Sequence, residues 1–129
     1  LTASTTGLHV LVVDDNEASA KTLGWMLEML GHQISIATSG TKALELAKTA
    51  LPHIVFLDLG LPDMNGYEVC RAMRAEAALN KMFIVAQTGW GQDEHRQRSR
   101  EAGFDEHLVK PLDLDAIRAL LEKVMTTRS

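Results

Sequence analysis

Three carboxylates, a hydroxyl and an ammonium stand where short apolar runs of this sequence stop. Asp14-Asp15 follow the run at 10–13, Asp58 follows 54–57, Thr88-Gly89 follow 83–86, and Lys110-Pro111 follow 107–109. A carboxylate can act as a nucleophile and carry a phosphoryl group as an aspartyl phosphate. Carboxylates with water form a hard-oxygen site of the kind Mg²⁺ uses, leaving coordination positions for phosphate oxygens. A lysine and a threonine can take the remaining phosphoryl oxygens. Each residue alone has a plainer reading. Asp14-Asp15 could cap a helix, Asp58 could simply end a strand, Thr88 could be a β-branched strand residue, and Lys110 a solvated loop lysine. Convergence decides between the two readings. Two unit charges ~4 Å apart repel by roughly 4 kcal/mol at the effective dielectric of a partly buried site, a large share of a domain's stability. Three acids in one crevice therefore require a cation or a function.

The elements that would bring these residues together are legible as periodicity. The runs at 10–13, 34–37, 54–57, 83–86 and 107–109 are short and mostly β-branched or aromatic, as strands are. Between them lie segments with helical spacing. Ala20, Leu23, Leu27 and Leu30 form one stripe, stopped by Gly31. Leu44, Ala47 and Leu51 form a second, stopped by Pro52, and Val69, Ala72 and Met73 a third, opened by Asn65-Gly66. A charged segment at 93–102 ends at Gly103, and Leu114, Ile117, Leu121 and Val124 form the last stripe, with Asp113 as its N-cap. Five βα units predict an α/β domain with a parallel sheet covered on both faces and right-handed crossovers. In such a sheet the C-terminal strand ends share one edge, and ligands bind there.

The bulk composition narrows the function. The chain has 129 residues, 46% hydrophobic and 23% charged, which fits one globular domain. A formal net charge of -4 gives no electrostatic reason to expect nucleic acid or an anionic membrane surface. The single cysteine, Cys70, excludes an intrachain disulfide framework and fits a reducing compartment. No apolar run reaches transmembrane length. The opening "LTASTTG" has neither region of a signal peptide and no initiating Met, so it reads as a polar linker of a processed chain or of a piece of a longer one. The expected organisation is a polar tail at 1–7, one domain at 8–125 and a polar tail at 126–129. The five histidines show no metal-ligand spacing and read as structural or surface residues; Trp25, within the first helix, reads as packing.

The stretches "VLVVDDNEAS", "IVFLDLGLPDMNGYEV", "IVAQTGW" and "EAGFDEHLVKPLD" together resemble the receiver domains of two-component response regulators and hybrid histidine kinases. The resemblance runs from about Val10 to Met125, with the motifs in order. It implies a flavodoxin-like, doubly wound (βα)5 fold with a five-stranded parallel sheet of order 2-1-3-4-5. It implies that Asp58 accepts a phosphoryl group from a phosphohistidine of a histidine kinase or phosphotransfer domain. It also implies that Asp14, Asp15 and Asp58, with the backbone carbonyl of Gly60, bind Mg²⁺, and that Thr88 and Lys110 contact the phosphoryl oxygens. The Lys110–Pro111 bond would be cis. Such a domain is no enzyme beyond its own phosphorylation and dephosphorylation. It would be cytoplasmic, without direct membrane contact or nucleic-acid partner, either on its own or as the cytoplasmic part of a membrane sensor kinase, and the polar ends lean that way. Arg96, Arg98 and Arg100 of the charged fourth helix read first as a solvated face; the alternative is an output partner docking on the face of the fourth and fifth helices.

Some positions depart from the family pattern. The aromatic switch residue three before the lysine is His107, whose imidazole can titrate near neutral pH. Gly60 offers no side chain to orient a hydrolytic water, and Trp90 is bulky enough to shield an aspartyl phosphate, so slow self-dephosphorylation is expected. Gly89 leaves the phosphoryl group a path. Other functions remain in view. A degenerate receiver would serve only as a protein-binding module, against which the complete Asp14, Asp15, Asp58, Thr88 and Lys110 set argues. A phosphohydrolase of the haloacid dehalogenase kind needs a second acid two residues after its nucleophile, where this chain has Gly60. A flavin-binding domain needs a phosphate loop after the first strand, where Asp14-Asp15-Asn16 has the wrong charge.

Overall fold

The computed structural model of the chain describes residues 7–89, 100–110 and 112–128. Five strands, β1 (His9–Val13), β2 (Gln33–Ala37), β3 (Ile54–Asp58), β4 (Phe83–Thr88) and β5 (Glu106–Val109), form one sheet. All pairs are parallel and the order is β2-β1-β3-β4-β5. This is the expected doubly wound arrangement. The helices described are α1 (Glu17–Met29), α2 (Gly40–Ala50), α3 (Gly66–Ala75) and α4 (Leu114–Arg128). Of the charged segment expected at 93–102, residues 93–99 lie outside the described residues, as do Trp90, Arg96, Arg98 and Pro111; residues 100–102 are helical. No helix among the described residues is long and apolar enough to cross a membrane.

Strand alternation sends successive side chains to opposite faces, and both faces here are buried. Val10, Val12, Ile54, Phe56 and Val85 pack with Ala20, Leu23 and Leu27 of α1 and with Ile117, Leu121 and Val124 of α4. Leu11, Val13, Val55, Leu57, Ile84 and Ala86 pack with Ala43 and Ala47 of α2 and with Val69, Cys70 and Met73 of α3. That two-sided burial is why the runs are continuously apolar instead of alternating. Each Val, Leu, Ile or Phe so buried contributes roughly 1.5–3 kcal/mol.

Local chemistry ends the helices where the turn residues stand. Asn16 caps α1 by accepting from the Ser19 N–H at 3.1 Å. The capping reading of Asp14-Asp15 therefore fails, and those acids are left for other work. Asn65 caps α3 in a capping box with Glu68, and the Asp113 carboxylate accepts from the Ala116 N–H at 2.7 Å. Gly31 sits at φ 92°, a conformation that favours glycine. Two packing expectations are corrected. Trp25 is 63% exposed, because the buried stripe of α1 runs through Ala20, Leu23, Gly24 and Leu27 and Trp25 falls outside it. Leu51 is also exposed; it is the left-handed C-cap of α2 instead of the last residue of its stripe.

Candidate functional site

The crossover from β1 leads into α1 on one face of the sheet, and that from β3 leads into α3 on the other. The winding therefore diverges between β1 and β3, and a crevice opens at their C-terminal ends. Asp14 follows β1 directly and is buried. Its N–H donates to the Ala37 carbonyl at 3.0 Å, and its Oδ1 accepts from the Asn16 N–H at 3.0 Å. Asp15 beside it is exposed. Asp58 is the last residue of β3, and its Oδ1 accepts from the Gly60 N–H at 3.1 Å. One ligand oxygen from each of Asp14, Asp15 and Asp58 lies within 4.8 Å of the others. A set of hard oxygens this close suits a small divalent cation.

Lys110 follows β5 and reaches past β4 and β3 into the crevice. Its Nζ donates to Asp14 Oδ2 at 2.8 Å and to Asp58 Oδ2 at 3.3 Å. One ammonium thus bridges two carboxylates. Burial pushes the Asp58 carboxyl up; the Gly60 N–H and the Lys110 charge pull it down, the Asp14 carboxylate pushes it up again, and the balance is a raised pKa. For Lys110, burial pulls down, but the Asp14 hydrogen bond and the charges of Asp58 and Asp14 outweigh it and raise the pKa, so the ammonium stays charged. Thr88 ends β4, buried, and its carbonyl accepts the Lys110 N–H at 2.7 Å. That bond couples the ends of β4 and β5.

The glycines around the site differ in purpose. A Cβ on Gly66 would lie 2.7 Å from both the Asp58 carbonyl oxygen and Leu59 Cα, so only glycine lets the start of α3 approach the strand end this closely. A Cβ on Gly60 or Gly89 would meet nothing within 4 Å, which leaves open space beside Asp58 and Thr88. His107 lies opposite Ala86 in register, half-buried. Trp90 and Pro111, with the expected cis bond, lie outside the described residues.

Sequence reading missed four features. Asp63, in the turn after β3, accepts from the Gly40 N–H at 2.8 Å and from the Thr41 N–H and hydroxyl at 3.0 and 2.7 Å, so that turn holds the start of α2. Arg74 donates to the carbonyls of Gly103, Asn80 and Met82 and to the Asp105 carboxylate. His32 Nδ1 and His53 Nδ1 accept the N–H groups of Leu8 and His9 at 3.0 and 2.9 Å. Gln87 is buried beside Thr88, and its Nε2 has no hydrogen-bond partner among the described residues. Only the last carried a signal: a long polar side chain inside an otherwise apolar strand.

Known proteins share this fold. A family model described as the response regulator receiver domain matches residues 10–122. The chain is 36% identical over 121 residues to the virulence sensor protein BvgS of Bordetella bronchiseptica, covering 90% of this chain and 10% of that protein. It is 30% identical over 119 residues to RpaA of Synechocystis, a DNA-binding dual master transcriptional regulator, covering 89% and 49%. The chain thus spans a tenth to about half of these relatives. Among solved structures, the chemotaxis protein CheY4 of Vibrio cholerae superposes with a TM-score of 0.87 at 26% identity, covering 92% and 98% of the two chains. A response regulator structure from Chloroflexus aurantiacus gives 0.88 at 26% identity, covering 93% and 98%. With the sheet order, the strand-end acids and the family match in agreement, the chain belongs to the response regulator receiver domain family of two-component systems.

Proposed function

We propose that this receiver takes a phosphoryl group onto Asp58 from the phosphohistidine of a histidine kinase or phosphotransfer domain. The observation that carries the reading is the Lys110 ammonium bridging Asp14 and Asp58 inside a cluster of three carboxylates. An Asp58 oxygen attacks phosphorus, the phosphorus–nitrogen bond of the donor breaks, and its electron pair stays on the imidazole, which takes up a proton. Strand β3 fixes Asp58, and the Gly66 turn leads the chain into α3 without covering the acid. Asp14, Asp15 and Asp58, with the Gly60 carbonyl, would hold Mg²⁺, which supplies positive charge against the phosphoryl oxygens. Lys110 and the Thr88 hydroxyl bind those oxygens. Lys110 then leaves Asp14, and because its amide is bonded to Thr88, the ends of β4 and β5 shift together. That shift, with His107 in the switch position, biases an output surface near the end of β5 and α4. The domain catalyses nothing beyond its own phosphorylation and dephosphorylation. The likeness to a virulence sensor protein supports a place in a phosphorelay, with a sensor kinase as the donor.

The test is intact mass after incubation with acetyl phosphate and Mg²⁺, for the wild type and Asp58→Asn. One added phosphoryl group, absent in the variant and absent without metal, is expected. A gain that survives Asp58→Asn would remove Asp58 from the role. No gain with either the small donor or a kinase would leave a binding module.

A further inference from the structure

The outer side of α1 carries an apolar seam. Ala18, Thr22, Trp25 and Met29 are all exposed, Trp25 at 63% and Met29 at 72%. The Thr22 hydroxyl donates to the Ala18 carbonyl at 2.9 Å, so its polar end turns to its own helix. The spacing is four, three, four, the seam along which two helices pack. The stripe of α1 that faces the sheet, through Ala20, Leu23 and Leu27, is already covered. The helix thus has a second seam on its opposite side. A lone exposed apolar side chain is ordinary. Here two of the four large exposed hydrophobics among the described residues stand one turn apart on one line, and such alignment marks an interaction surface.

We propose that this seam pairs with the same seam of a second copy of the chain, the two α1 helices running antiparallel about a two-fold axis. Size picks the direction. Set antiparallel, Met29 lies against Ala18 of the second copy and Trp25 against Thr22, so every layer joins a large side chain to a small one. Set parallel, Trp25 would meet Trp25 and Met29 would meet Met29 at one end, with a gap between two alanines at the other. Charge picks the same direction. Lys21 and Glu28 flank the seam on one side, both exposed and outside every ion pair among the described residues. In an antiparallel pair that flank faces itself end to end, so each Lys21 meets a Glu28, twice over by symmetry. In a parallel pair it faces the other flank, Ser19 and Met26, which carries no charge. A second copy therefore matches the seam in both size and charge. With 13 residues, α1 is about 20 Å long. Its interface falls short of the roughly 1,200 Å² of stable complexes, and the pair forms only within roughly 10 µM to 1 mM protein. The pairing uses no residue of the acid crevice and is read in the unphosphorylated protein, so its failure would leave the role of Asp58 untouched.

The experiment is sedimentation velocity of the full chain from about 10 µM to about 1 mM, with circular dichroism as the check on folding. The wild type should pass from monomer to dimer over that range. Trp25→Glu, a change at an exposed position, should stay monomeric. Lys21→Glu should weaken pairing about tenfold, since it turns two exposed ion pairs into repulsions. Adding Glu28→Lys to that variant should restore pairing. Adding Glu45→Lys on α2 instead, which restores only the net charge, should not. A wild type that stays monomeric at the top of the range would overturn the proposal and leave the seam to a partner of another kind. Dimers that survive Trp25→Glu, that ignore Lys21→Glu, or that Glu45→Lys rescues as well as Glu28→Lys would each overturn it too.

Discussion

Replacing Lys110 by Met keeps most of the aliphatic stem and removes the one positive charge that bridges Asp14 and Asp58. One ligand oxygen from each carboxylate of the cluster lies within 4.8 Å of the others. At that separation and an effective dielectric of ~20, each pair of carboxylates repels by about 3.5 kcal/mol. The Lys110 side chain is 28% exposed and that of Asp58 14%, so solvent screens part of this. The expected loss of unfolding free energy is about 2 kcal/mol, below the roughly 3–5 kcal/mol that breaking a fully buried ion pair costs. The assay is urea unfolding followed by circular dichroism in the presence of a chelator. Two further measurements isolate the cause. Adding Mg²⁺ at ten times its dissociation constant should stabilise the variant by about 1.4 kcal/mol through mass action. The double variant Asp14→Asn/Lys110→Met should regain at least about half the loss, because one of the repelling charges is gone. A single variant within about 0.5 kcal/mol of the wild type without metal would refute the compensation argument. A double variant no more stable than the single one would refute it as well.

Three other outcomes follow from the geometry. Gly66→Ala places a Cβ 2.7 Å from the Asp58 carbonyl oxygen and Leu59 Cα; about 2 kcal/mol of stability should be lost by urea unfolding, with a lower phosphorylation yield because Asp58 is displaced. Asp63 is held down to about 2 by the Thr41 hydroxyl and the Gly40 and Thr41 amides. Its contribution to stability is therefore complete above the ordinary carboxylate range and lost as pH falls through about 2, and a carboxyl ¹³C titration with a midpoint near 4 would remove its hold on the start of α2. Burial lowers the His32 pKa below 6.5, and its neutral Nδ1 accepts from Leu8. The unfolded chain then binds the proton first, so stability should be complete above pH 6.5 and decline as pH drops below it. His32→Asn, which keeps an acceptor and cannot titrate, should flatten that slope in urea midpoints.

What the sequence disclosed and what it hid divide by range. The strands were legible because two-sided burial makes each a continuous apolar run, so the run at 54–57 and its terminal Asp58 stood out without any neighbour. Asn65-Gly66 and Asp113 were legible because caps act within three or four residues. Asp14, Asp15, Asp58 and Lys110 were legible as a set once three strand ends were placed on one edge. The bridging position of Lys110 was not, since it depends on a contact across 96 residues of chain. Asp63 and Arg74 hid for the same reason: each answers backbone groups that only the fold brings near. Trp25 and Leu51 misled because hydrophobicity alone does not say which side of a helix a residue takes.

Arg74 and the two histidines have a mechanical consequence. All act where strands begin: Arg74 gathers the carbonyls of Asn80 and Met82 before β4, and the Gly103 carbonyl and Asp105 carboxylate before β5, while His32 and His53 hold the entry to β1. The opposite rim carries no comparable staple between β4 and β5 among the described residues beyond the Lys110–Thr88 bond. The sheet is thus anchored at its base by Arg74 and the two histidines and, at the rim that carries the acids, by the bridge of Lys110 to Asp14 and Asp58. Any force applied at the tips of β4 and β5 therefore loads that bridge and leaves the base still, so displacement is spent on the edge that carries the acids.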